Sequence, residues 1–403
     1  MKIKIHSGKA SGKITAPPSK SMAHRLLISA AMSEGVSTVR GISDCEDVAA
    51  TLDSLRSLGI TATRVGNDVT IVGRDFKSVI PNSPLECRES GSTLRFLIPA
   101  AMLSGQSTVF YGKESLMRRP MGVYKKLFSE KGLTYIDDGR SIIVRGPLVG
   151  GEYSIVGNIS SQFISGLIFA LPIASGDSII KITPPIESRS YINLTINAVK
   201  AFGISVEWLD EYTIKIPGNQ KYRPSDVTVE GDYSGAAFPD ALNLFDGDVS
   251  VLGLNPDSIQ GDSVYRKYFD MLKSGAPSIH IGDCPDLGPI LFAIAAAKYG
   301  GIFSGTKRLK IKESDRAKAM ADELKKFGAS VSVYDDSVVI FPTDFHAPSE
   351  PLSGHNDHRI VMSLAVLLTL TGGEIDGAEA IAKSYPDFFD HLRVLGINAE
   401  EIQ

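Results

Sequence analysis

The chain has 403 residues, 43% of them hydrophobic and 22% charged, with a formal net charge of −4. That length exceeds one ordinary hydrophobic core and predicts two domains, and the composition excludes a disordered chain. The acidic balance disfavours a general nucleic-acid binder, which needs a broad cationic face, so any cationic site must be local.

The N-terminal stretch MKIKIHSGKASGKITAPPSK alternates like a strand and shows no apolar signal core. Three cysteines, Cys45, Cys87 and Cys284, are odd in number and far apart, which fits neither a disulfide framework nor a Cys-x-x-Cys metal pattern. A cytoplasmic location is expected. The longest apolar stretches, such as Leu364 to Leu370, are too short to span a bilayer, so no membrane association is expected.

Six apolar helices with Gly turns are then predicted along the chain: LLISAAMSEG (26–35), FLIPAAMLSG (96–105), GLIFALPIASG (166–176), AFPDALNLFDG (237–247), ILFAIAAAKYGG (290–301) and MSLAVLLTLTGG (362–373). A short β-like run follows each. Six second helices alternate with them: LDSLRSLG, YKKLFSEKG, INAVKAFG, YRKYFDMLKSG, ADELKKFG and FDHLRVLG. Each presents one apolar face and then a Gly suited to a left-handed C-cap. Period-two stretches such as ASVSVYDDSVVIF (329–341) read as strand, turn and strand. Polar clusters precede the apolar helices near residues 20, 90, 160, 233, 286 and 356, with successive gaps of 70, 70, 73, 53 and 70. The near-constant spacing predicts a sixfold repeat of layered α/β or α+β units, three per domain, with an abbreviated strand pair after Lys273.

The clusters are Ser19-Lys20-Ser21 with Arg25, Glu89-Ser90-Gly91-Ser92-Thr93 with Arg95, Ser160-Ser161-Gln162, Asp232-Tyr233-Ser234-Gly235, Pro285-Asp286-Leu287-Gly288, and Asn356-Asp357-His358-Arg359. Each is expected at a helix N-terminus, where free N–H groups and the dipole receive anions. Simple capping explains Ser, Asp and Asn there equally well. Capping does not explain Lys20, Arg25, Arg95 and Arg359, whose cations oppose the helix dipole. Arg118-Arg119, Glu187 to Tyr191, Lys310 to Arg316 and Lys383 add charge from other loops. Many cations with a few carboxylates suit polyanionic substrates that also exchange protons.

PPSKSMAHR, ESGSTLR, MRRP, SSQF, SRSYINLT, GDYSGAAF, PDLGPIL, KESDR, NDHR and AKSYPDFF, in that order, resemble the motifs of the 5-enolpyruvylshikimate-3-phosphate synthase family of enolpyruvyl transferases. The resemblance implies an α/β (α+β) fold of two similar domains, each with three βαβαββ repeats in pseudo-threefold arrangement. One domain would combine residues 1–18 with 231–403, and the inserted domain would span 19–230, with the substrates in the cleft between them. It implies transfer of the carboxyvinyl group of phosphoenolpyruvate to the 5-hydroxyl of shikimate 3-phosphate by a monomer, with no metal and no organic cofactor. By matched position, Lys20, Ser21, Arg25, Ser160, Ser161, Gln162, Ser188, Tyr191, Asp286 and Lys312 would contact shikimate 3-phosphate. Lys20, Gly91, Arg119, Gln162, Arg316, Arg359 and Lys383 would contact phosphoenolpyruvate. Asp286 would take the hydroxyl proton, Glu313 would protonate the methylene carbon, and Lys20 would assist catalysis. The sequence departs from the pattern at Glu89, expected to pair with Arg88, and at Arg308.

Three other readings compete. The related transferase of UDP-N-acetylglucosamine uses a loop Cys and an N-terminal Lys-Asn pair, neither evident here. A zinc hydrolase could use His355 and His358 on one helix face, but lacks a third ligand. A non-catalytic scaffold for anions or RNA ends would need basic residues interleaved with stacking aromatics, and no such stretch occurs.

Overall fold

The structure is a computed structural model that describes residues 1–402. The chain divides into two compact units, Met1–Pro17 with Gly231–Gln403, and Pro18–Glu230. Each unit has its own hydrophobic core.

The repeat is visible in the sheets. In the Pro18–Glu230 unit, Leu85–Glu86 pairs in parallel with Ser107–Tyr111, which pairs antiparallel with Ser141–Arg145, which pairs antiparallel with Thr134–Asp137. The same order recurs for Gly151–Val156, Ser178–Thr183, Thr213–Ile216 and Glu207–Trp208. It recurs again for Val227–Thr228, Gly35–Arg40, Asp68–Gly73 and Thr61–Val65. The other unit repeats it twice, once with Ser278–His280, Gly301–Ser304, Ser337–Phe341 and Ser330–Val333. In its second copy the N-terminal strand Lys2–Ile5 completes a sheet of Leu352–Ser353, Gly373–Asp376 and Ala399–Ile402.

The remaining sheet has only two strands, Ser11–Thr15 and Asp248–Leu252, in parallel. The strand pair expected in shortened form after Lys273 is missing from this sheet. The helix Tyr265–Ser274 leads directly into Ser278–His280 of the next sheet. The C-cap glycines follow suit. Gly59, Gly132, Gly203, Gly328 and Gly396 have φ between 68° and 86°, as the sequence predicts, whereas Gly275 is extended at φ 169°. With no hairpin to enter, the chain has no need of the left-handed reversal there.

The first helix of each repeat is buried nearly all round, because its sequence is apolar on every face. Gly288–Ala297 and Ser161–Ala170 bury all but one or two residues each. The second helices are amphipathic and bury one stripe, as in Arg316–Lys326. Thus every repeat drives the N-terminus of an apolar helix, with its polar cluster, to the end of a core element.

Candidate active site

Every apolar helix starts at its polar cluster, and five of the six have a side-chain cap. The hydroxyl of Ser19 accepts from Met22 N, Ser90 from Thr93 N and Ser160 from Gln162 N. Asp232 accepts from Ser234 N and Gly235 N, and Asp357 from Arg359 N. Asp286 instead lies in the short 3-10 turn Pro285–Leu287 that leads into Gly288–Ala297. Capping therefore accounts for the hydroxyls and for Asp232 and Asp357. It does not account for the first turns, where none of the six helices carries an acidic residue, although a negative charge there would be stabilising.

In the Pro18–Glu230 unit the predicted residues form two groups. The first surrounds Arg25, which is buried and opens one flank of the helix Lys20–Ala31. Its Nη1 donates to the carbonyl of Ser21 at 2.6 Å and its Nη2 to the carbonyl of Tyr191 at 3.0 Å. Its Nε donates to Thr195 Oγ1 at 2.8 Å, and Thr195 donates to Ser165 at 2.7 Å. The guanidinium lies 5.0 Å from the Phe96 ring centroid and 5.9 Å from that of Tyr191, and burial lowers its pKa to about 10 against the influence of Tyr191. Ser188, the residue before the Arg189–Lys200 helix that carries Tyr191, is buried with φ 55°.

The second group surrounds Gly91. A Cβ added there would lie 3.1 Å from Arg119 Nη1, 3.2 Å from Arg95 Nη1 and 3.4 Å from Gln162 Oε1. Arg95 Nη1 donates to Gln162 Oε1 at 2.7 Å, and Gln162 Nε2 donates to Ser92 at 2.9 Å. Gln162 thus joins the start of the helix Ser161–Ala170 to that of Gly91–Ala101, and Ser160 and Ser161 sit beside it. Lys20 Nζ pairs with Asp47 Oδ2 at 2.6 Å. Glu89 departs from its expected partner. Lys113 Nζ lies 3.2 Å from its carboxylate, and Arg88 pairs with Asp53 instead. Arg88 has φ 49°.

In the other unit Asp286, Lys312, Glu313, Arg316 and Arg359 form one charged cluster. Asp286 Oδ1 accepts from Lys312 Nζ at 3.1 Å and from Arg316 Nη1 at 2.8 Å, and its Oδ2 accepts from Arg359 Nη2 at 3.0 Å. Arg316 also reaches Glu313 Oε2 at 2.7 Å and, through Nε, Asp357 Oδ2 at 2.8 Å. Arg359 Nη2 lies 3.0 Å from Ser234 Oγ. Lys383 Nζ donates to the carbonyl and to Oδ1 of Asn356, at 2.6 and 2.8 Å, one residue before Asp357. Arg308 is also buried.

The electrostatics follow from this crowding. Burial alone would raise the Asp286 carboxyl, yet Arg359, Lys312 and Arg316 outweigh it and hold the carboxyl well below the usual carboxylate range. Burial lowers Lys312, with Asp286 opposing and Arg316 and Arg308 assisting. Burial also disfavours the Arg316 cation, but Asp357, Glu313 and Asp286 more than restore it. Asp286 is therefore an ionised carboxylate wrapped by three cations.

Sequence reasoning missed several partners that hold these groups: Asp47, Thr195, Ser165, Asn356 and the pairing role of Asp357. It also overreached at the histidines. The helix starts at His358, so His355 precedes it, and His355 Nε2 instead meets Glu323 at 2.8 Å. Among the described residues no three His, Cys, Asp or Glu side chains gather to hold a metal ion.

The family model for EPSP synthase (3-phosphoshikimate 1-carboxyvinyltransferase) matches residues 5–392. A 3-phosphoshikimate 1-carboxyvinyltransferase of Clostridium kluyveri is 37% identical over 425 residues, spanning 99% of this chain and 98% of the relative. One from Clostridium acetobutylicum is 38% identical over 421 residues, with coverage of 99% and 98%. A solved structure of EPSP synthase from Acinetobacter baumannii superposes with a TM-score of 0.79 at 25% identity, over 99% of this chain and all of that one. With its repeats, its cluster order and these relatives in agreement, the chain belongs to the EPSP synthase family.

Proposed function

We infer that this chain transfers the enolpyruvyl group of phosphoenolpyruvate to the 5-hydroxyl of shikimate 3-phosphate and releases phosphate, a step of aromatic amino acid (chorismate) biosynthesis. Membership of the family supports the reaction. The observation that carries the residue roles is Asp286, a carboxylate held by Lys312, Arg316 and Arg359.

Ser21, Arg25, Ser160, Ser161, Ser188, Tyr191 and Lys312 bind shikimate 3-phosphate, and Gly91, Arg119, Arg316, Arg359 and Lys383 bind phosphoenolpyruvate. Lys20 and Gln162 serve both. Arg forks suit the phosphate and carboxylate of these polyanions.

In the first step the 5-hydroxyl oxygen bonds to C2 of phosphoenolpyruvate, Asp286 takes the hydroxyl proton, and Glu313 gives a proton to the methylene carbon. In the second, C2 loses phosphate and the new methyl group returns a proton, which restores the double bond. Asp286 is a weak base while three cations hold it. Substrate anions compete for those cations, and a carboxylate that loses them is a stronger base. Glu313 gains proton affinity in the same way when Arg316, now 2.7 Å away, turns to substrate.

The three thiols are buried and free, which favours a reducing cytoplasm and leaves no exposed loop thiol for chemistry of the UDP-N-acetylglucosamine type. No helix among the described residues is long and apolar enough to cross a membrane. We read the working form as a monomer.

The test is phosphate release from the two substrates, with and without chelator. The wild type should turn over in both conditions, and Asp286→Ala, Glu313→Gln and Lys20→Ala should each lose about 100-fold or more in kcat. A fully active Asp286→Ala, or an inert wild type, would overturn the reading.

A further inference from the structure

The turn that precedes the helix His358–Thr371 is held from outside by a residue that no role above requires. Gly354 donates to Asp376 O at 2.7 Å, and a Cβ there would come within 2.6 Å of Val361 Cγ2 and 2.8 Å of Gly377 O. Asp357 N closes the turn onto Gly354 O at 2.9 Å. Its two central residues, His355 and Asn356, have φ of 48° and 52°. Two successive non-glycine residues at positive φ are costly, and such a turn persists only where the surroundings over-determine it.

The surrounding restraint is Glu323, on the helix Arg316–Lys326 and 3% exposed. Its Oε2 accepts from Ser353 N at 2.9 Å, 30 residues away, and its Oε1 meets His355 Nε2 at 2.8 Å, 32 residues away. Lys326 Nζ lies 3.0 Å from the same carboxylate. The turn so held aims its next two residues at site cations. Asn356 presents both its carbonyl and its side-chain oxygen to Lys383 Nζ, and Asp357 grips Arg316 Nε.

We propose that Glu323 and His355 are positioning residues for phosphoenolpyruvate: they clamp a strained turn whose shape sets Lys383 and Arg316 for that substrate. This rests on the assignment of Lys383 and Arg316 to phosphoenolpyruvate given above. The helix that carries Glu323 also begins with Arg316, so one rigid element fixes the guanidinium and the turn together.

Steady-state kinetics on His355→Gly, His355→Gln and Lys383→Ala tests it. Glycine accepts the left-handed conformation at no steric cost, so His355→Gly should keep a denaturation midpoint near that of the wild type while releasing the clamp. The KM for phosphoenolpyruvate should rise about tenfold, the scale expected when a positioning group is loosened, with the KM for shikimate 3-phosphate unchanged. His355→Gln retains a donor toward Glu323 and should recover much of the loss. If Lys383→Ala raises the KM for phosphoenolpyruvate and His355→Gly leaves it within twofold, or moves both KM values alike, the clamp has no positioning role. If Lys383→Ala itself leaves that KM unchanged, the underlying assignment fails instead.

Discussion

The two units solve the same problem, holding a buried arginine, in opposite ways. Arg25 in the Pro18–Glu230 unit is satisfied by two backbone carbonyls and one hydroxyl, all of them neutral partners. Arg316 in the other unit is satisfied by three carboxylates, those of Asp286, Glu313 and Asp357. Neutral partners leave the charge of Arg25 uncompensated, whereas ionised partners offset that of Arg316. The contrast teaches that the same buried side chain can be held by dipoles or by opposite charges, and that only the second arrangement ties it to the titration of carboxylates.

The largest expected effect that would break this comparison is on stability. Asp357 is 0% exposed and Arg316 1%. Removing the carboxylate in Asp357→Ala takes the most buried of three counter-charges from Arg316 and leaves its buried Nε without an acceptor, which should cost about 3–5 kcal/mol. Thr195→Val, which removes the hydroxyl that Arg25 Nε donates to, should cost only about 1–2 kcal/mol. Denaturant unfolding of the two variants measures the difference, and equal losses would show that the two arginines are not held differently after all.

A smaller effect sharpens the contrast within the Pro18–Glu230 unit. In Gly91→Ala the new methyl meets Arg119, Arg95 and Gln162 at 3.1 to 3.4 Å, so those side chains must yield by a few tenths of an ångström. Alanine favours the helix over glycine by roughly 0.5–1 kcal/mol. Stability should therefore hold or rise slightly, while the KM for phosphoenolpyruvate rises about tenfold. A marked loss of stability with unchanged KM would place Gly91 in the scaffold and not at the ligand.

The smallest effect is on acid stability. The Asp286 and Asp357 carboxyls are held below their ordinary value, each because its cations outweigh its burial. Groups lowered in this way stabilise the fold above the unfolded carboxyl pKa, about 3.9, and that contribution is lost as pH falls through their folded values. Unfolding free energy should thus fall below about pH 4, and less steeply in Asp286→Asn. Arg25 has the opposite sign. Its lowered pKa, about 10, makes its charge a cost to the fold that is constant at neutral pH and relieved only as pH rises past that value. A slope unchanged in Asp286→Asn would mean that the cluster does not govern the acid limb.

The sequence made the scaffold legible because the repeat states it six times over. Apolar helices, capping residues and C-cap glycines are local features, and local spacing reports them. Gly275 shows the limit: its residue type matched the other five, but the missing hairpin after it removed the reason for a left-handed turn. Charge stood out in the sequence at Lys20, Arg25, Asp286 and Lys312, and of these Asp286 and Lys312 meet. What could not be read was the choice of partner. Asp47 and Thr195 lie 27 and 170 residues from the cations they hold, and nothing in their local spacing marks them, while Asn356 stood in a marked cluster whose spacing did not point to Lys383 as its partner. Glu89 taught the same lesson in reverse, since the adjacent Arg88 was available in sequence but pairs with Asp53, and Lys113 lies by Glu89 instead.

The strand Lys2–Ile5 sits between Gly373–Asp376 and Ala399–Ile402. During synthesis the strand Lys2–Ile5 must wait for those two far later strands before its sheet can form, whereas everything within Pro18–Glu230 becomes available in one continuous stretch. The order of manufacture thus gives the neutral-partnered arginine its surroundings early, and leaves the carboxylate-bound one to a unit that is assembled later.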